Sequence, residues 1–151
     1  MSRSRFVATA LPAWVVLISV LASHSFADDT VELYAGIHRI EAEVANTDEA
    51  RDVGLTFRPV LGANQGMIFV FPQVERHCMW MRDTLIPLSV AFMDEAGVIV
   101  SMDEMQPRSD TFHCALRPAR YALEMNQGWF DKREFGAGSR ISGLEKISRV
   151  R

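Results

Sequence analysis

The residues best suited to chemistry crowd into "HCMWMRDTLIPLSVAF", residues 77 to 92. His77, Met79 and Met81 stand at i, i+2 and i+4. On an extended strand they share one face, with Asp83, while Cys78, Trp80, Arg82 and Thr84 share the other. Imidazole and thioether are soft ligands suited to Cu(I), so a copper-handling site is one reading of the first face. Methionine as an ordinary filler of core gaps is the other. The dipeptide His-Cys recurs at His113-Cys114. Two His and two Cys could fill a tetrahedral zinc site. However, neighbours on a strand point to opposite faces, and the tight Cys-x-x-Cys spacing of structural zinc sites is missing.

Charge inside oily segments is the second signal. Arg82 and Asp83 interrupt the apolar run, Glu124 sits within "YALEMN", and Arg58 ends "GLTF". A lone buried charge costs several kcal/mol, so these groups are expected to be paired or to stand at a cleft mouth. The expectation is a cluster in which Arg82 pairs with Glu124, near Arg58, Asn64 and Asn126. It would either pin strand register or, with Asp83 and Thr84, form a ligand pocket. Catalytic motifs are absent: there is no Gly-x-Ser-x-Gly, His-Glu-x-x-His, Walker loop or dinucleotide glycine cluster. The carboxylate pairs Asp94-Glu95 and Asp103-Glu104 read as solvated turns. A hydrolase would have to be built around Glu124 or Asp83.

These residues need a scaffold, and the sequence outlines one. Residues 1 to 27 read as a secretory signal: Arg3 and Arg5, an apolar run from Phe6 to Leu21, then Ser25-Phe26-Ala27 with small residues at both recognition positions. Pro12 interrupts the run, which is shorter than a bilayer span needs. Cleavage after Ala27 would leave one domain, 28 to 151, with 14 basic and 19 acidic residues, a net charge of −5. No basic run remains to suggest nucleic acid. No further apolar run could span a bilayer, so no membrane association is expected after cleavage. In an exported chain, periplasmic or secreted, Cys78 and Cys114 are expected to form a disulfide.

"RIEAEVAN", residues 39 to 46, alternates with period two, as a half-buried strand does. Thr47 or Asn46 can cap a short helix near 48 to 54, stopped by Gly54. Further strands are expected at 66 to 71, over "HCMWMRD", over "LSVAFMD", in "VIVSM" after a turn at 94 to 97, at 120 to 126, and in "RISGLEKI". One helical turn is expected in "GWFDKREFGAGS". Together they predict a mainly β fold: a compact, largely antiparallel barrel or sandwich with one or two short helices.

Three phrases in order, "GLTFRPVLGANQGMIFVFP", "WMRDTLIPLSVAFMDEAGVI" and "ARYALEMNQGWF", resemble the domain-of-unknown-function 192 family of exported and archaeal proteins. The resemblance runs from about Glu41 to Ile141. Thr56 stands where that family usually has methionine, and Asp83 where it more often has asparagine. The resemblance implies a small β-rich domain and no known activity. The expected function is a non-enzymatic ligand-binding or accessory module of the cell envelope, taking a small polar ligand or an envelope component and using no cofactor.

Overall fold

A computed structural model describes residues 30 to 149. The expected signal segment lies outside them. The described elements are β1 (Thr30–Ala35), β2 (His38–Ala45), α1 (Asp48–Val53), β3 (Gln65–Glu75), β4 (Cys78–Met79), β5 (Leu88–Met93), β6 (Ile99–Met105), β7 (His113–Cys114), β8 (Ala119–Asn126) and β9 (Ile141–Ser142), with short 3-10 turns at Asp131–Arg133 and Leu144–Arg149.

Seven strands form one sheet in the order β6-β5-β8-β3-β2-β1-β9. An antiparallel bridge between Val98 and Arg140 draws its two ends together, so the sheet curls into a half-barrel. All its pairings are antiparallel except β2 with β3. A parallel pair needs a crossover, and α1 with the loop after it supplies one. Thr47 caps α1 by accepting a hydrogen bond from the Ala50 amide at 3.1 Å. Asp48 and Glu49 lie in the first turn, where the helix dipole favours negative charge. Gly54 ends it at φ 50°, a left-handed angle that glycine adopts without penalty.

The central strands are buried on both faces, which is why β5, "LSVAFM", is buried at every position. Alternation splits the apolar side chains into two cores. Ile68, Ala91, Met93, Leu123 and Met125 pack with Leu33, Ile40 and Phe130 on one face. Met67, Phe69, Phe71, Val90, Phe92 and Ala122 pack on the other, closed over by Leu55, Met81 and Ala115. Glu124 alternates onto this second face, between Met67 of β3 and Val90 of β5.

Several expectations change in detail. β1 and β7 lie outside the expected strands, and the last strand shrinks to two residues. The expected strand over "HCMWMRD" holds only at Cys78–Met79, which pairs with β7 in a separate two-stranded ribbon. Beyond it the chain turns back: the Thr84 amide bonds the Met81 carbonyl at 3.1 Å. Arg82 and Asp83 therefore occupy an exposed turn rather than the middle of a strand, and this resolves the apparent conflict of two adjacent charges in an oily run.

Candidate functional site

Glu124 is the unusual group. It is 4% exposed, and no hydrogen bond or ion pair reaches its carboxyl among the described residues. Burial lifts its pKa from the ordinary 4.5 to about 8, because a carboxylate loses its hydration there with nothing to replace it. The group is thus a neutral acid at pH 7. It can donate one hydrogen bond and accept others. Its position is fixed by close strand contact: a Cβ at Gly66 would lie 2.5 Å from the Glu124 carbonyl oxygen.

The Glu124 carboxyl lies on the wall of a cavity of about 570 Å³. Phe69 and Phe71 of β3 line one side, and α1 with the turn from Gly54 to Thr56 lines another. Cys78 and Met79 of β4, with Trp80, close the third. Arg51 ties the helix to the sheet, donating to the Val70 carbonyl at 2.8 Å and to Asp48. The ribbon is pinned by the Cys78–Cys114 disulfide, and no free cysteine is described. A second cavity of about 330 Å³ continues outward, sharing Asp52, Val53, Thr56, Trp80 and Thr84 with the first. The two form one groove of mixed lining, in which aromatic side chains stand with a neutral acid, Thr84 and the charged Arg51 and Asp52, and Arg82 and Asp83 lie at its mouth.

Phe57 stands at that mouth. It is 68% exposed and adopts φ 56°, an angle bulky residues rarely accept. Its amide bonds the Asp83 carbonyl at 3.0 Å, which holds the two lips of the groove together. Val53 and Trp80 are also exposed beside it.

The expected polar cluster does not form. Arg82 points outward, bonds Asp110 at 2.7 Å and lies 4.3 Å from the Trp80 ring centroid. Trp80 and Arg82 do share a face, but it is the outer one. Arg58 pairs with Glu43, one of the two bonds being 2.7 Å. Asn64 accepts from the Trp129 indole at 3.2 Å, and Asn126 donates to the Leu61 and Gly62 carbonyls at 3.0 Å. These two amides anchor the loop before β3, away from the Glu124 cavity. Of the expected ligand residues, Thr84 and Glu124 line the main cavity, and Arg82 and Asp83 line its outer part with Thr84. Arg58, Asn64 and Asn126 line neither.

The soft donors serve packing. Met81 is fully buried in the second core and Met79 packs against it. His77 stacks on Phe71 at 3.7 Å between centroids, and its Nε2 bonds the Gln73 carbonyl at 2.9 Å. No group of three or more His, Cys, Asp or Glu side chains suited to a metal occurs among the described residues. Among the groove residues that sequence reasoning passed over are Arg51, Asp52, Val53, Leu55 and Phe57. Phe69 and Phe71 belong to the strand expected over 66 to 71, and both are buried, but at the open edge of the core.

A family model for DUF192, described as Uncharacterized ACR, matches residues 30 to 143. No curated protein matches the chain. Among solved structures, the chain resembles a protein from Sinorhizobium meliloti 1021 described as a candidate transcription regulator. The TM-score is 0.71 and the identity 28%, over 76% of this chain and 92% of that one. It also resembles a protein of unknown function from Novosphingobium aromaticivorans DSM 12444, with a TM-score of 0.68 and 28% identity, over 75% of this chain and 83% of that one.

Proposed function

From the premise that this chain belongs to the DUF192 family, we propose that it is an exported ligand-binding module whose groove receives a small, neutral, hydrogen-bonding molecule with an apolar face. One observation carries the reading: a carboxyl kept neutral by burial lines a cavity, with no partner from the protein. Such a group lowers the stability of the fold, and strongly perturbed acids in clefts mark functional sites. The cavity volume falls within the range of small-molecule sites. A neutral acid in a cavity that Thr84 also lines suits hydroxyl, amide or carbonyl groups. The aromatic walls suit the apolar side of the same molecule.

Export is supported by the charged, apolar and small-residue order of residues 1 to 27 and by a disulfide whose Cys78 is exposed. No helix among the described residues is long and apolar enough to cross a membrane. The description of the Sinorhizobium protein as a regulator belongs to that protein; here the neutral acid in the groove argues for a small molecule.

The test is a thermal-shift screen of the chain against neutral sugars, polyols and short peptide amides. Hits should weaken in Glu124→Ala and should fade as pH rises through about 8, where the acid loses its proton. Hits indifferent to both changes would place binding elsewhere. A second reading, a hydrolase with Glu124 as general acid, draws on the same raised pKa. It requires turnover of a hit, lost in Glu124→Gln.

A further inference from the structure

A second surface lies at the end of the β3–β8 pairing. After Val70 the register of that pair shifts, and Glu75 comes opposite Ala119. The segments 72 to 76 and 115 to 120 thereby meet. Arg76 reaches across to the Ala115 carbonyl at 2.8 Å, and Arg120 reaches back to the Pro72 carbonyl at 2.8 Å. Arg117, in the second of these segments, is exposed in the bend before β8. None of the three is paired with a carboxylate among the described residues. Glu75 is the one acid in these segments, and it lies 4.0 Å from His77.

The patch therefore carries net positive charge on a chain whose net charge is −3. Main-chain carbonyls take one donor each from Arg76 and Arg120. A guanidinium has five, so both keep donors free for an outside acceptor. The same two segments carry two exposed apolar side chains: Leu116 at 72% and Val74 at 44%. A polyanion such as nucleic acid uses guanidinium groups but gains little from exposed leucine and valine. A bilayer with anionic headgroups uses both, since phosphates meet the arginines and the apolar side chains enter the headgroup boundary.

We infer that the surface formed by Arg76, Arg117, Arg120, Val74 and Leu116 docks the protein peripherally onto an anionic lipid bilayer, against the expectation, drawn from spanning runs alone, that the cleaved chain makes no membrane association. This surface is independent of the groove, and either assignment stands without the other.

The experiment is co-sedimentation with phosphatidylglycerol–phosphatidylcholine vesicles and with pure phosphatidylcholine vesicles. It uses the chain from Asp28, which holds every described element and both cores. The expected result is binding to the anionic vesicles alone, weakened by salt. Each of Arg76→Gln, Arg117→Gln and Arg120→Gln should lower the partition by about fivefold. Leu116→Asn should also weaken it, with the salt dependence unchanged. Arg117 makes no described bond, so Arg117→Gln should melt like the parent and separates binding from folding. No binding to anionic vesicles at low salt would overturn the inference, as would equal binding to both vesicle types. So would indifference to Leu116→Asn together with displacement by a single-stranded oligonucleotide, because the patch would then be a general polyanion site.

Discussion

Replacing Glu124 by Gln should stabilise the protein, and the gain should depend on pH. In the fold the acid titrates near 8, and in the unfolded chain near 4.5. Between those values the folded state holds a proton that the unfolded state has lost. Stability therefore falls as pH rises through this window and levels off above it. Each pH unit is worth about 1.4 kcal/mol. Near pH 7 the acid costs about 3 kcal/mol, and above pH 8 about 5 kcal/mol; both are upper values, because a carboxyl lining a cavity keeps some contact with water. Glutamine has nearly the shape of the neutral acid and never ionises. Urea unfolding of the wild type and Glu124→Gln should coincide near pH 4.5 and diverge steadily up to pH 8, the variant being the more stable. A difference that stays flat across that window would refute the reasoning, for Glu124 would then not be held neutral.

Other changes should follow the contacts around the groove. Arg82→Ala should cost less than about 1 kcal/mol in thermal melts, because its bond to Asp110 joins two exposed side chains. Replacing Cys78 and Cys114 by serine should cost roughly 4 kcal/mol by the chain-entropy model for a bridge spanning 36 residues, and denaturant titration measures it. The same change loosens the ribbon beside Glu124, so ligand affinity in the thermal-shift assay should fall with it. Phe57→Gly should relieve about 1 kcal/mol of backbone strain while weakening ligand binding, because the ring leaves the mouth of the groove. A variant that lost stability and kept binding would contradict the role given to Phe57.

Local pattern carried much of the fold. The period-two run 39 to 46, the Thr47 cap with its acidic first turn, and the apolar runs of β3, β5 and β8 each specify an element by short-range physics, and each forms where expected. Glu124 stood out for the same reason, a single acid in a strand apolar on both sides. Its partners were not legible. Pairing Arg82 with Glu124 assumed that the Trp80 face turns inward, but alternation only says which residues share a face. The side on which that face lies is set by the ribbon, where Met79 and Met81 pack inward and leave Trp80 outside. The parallel β2–β3 pair was hidden likewise, since register depends on a crossover rather than on either strand. Nothing in the sequence around Phe57 marks its left-handed backbone, and its amide bonds the Asp83 carbonyl, 26 residues away in sequence.

The central claim is a neutral carboxyl waiting in a groove, and its most direct test is the 13C shift of the Glu124 side-chain carboxyl followed through a pH titration by NMR. The account predicts a midpoint near 8 in the free protein, moving higher when the best hit of the ligand screen is added. A midpoint near 4.5, unmoved by any hit, would contradict it.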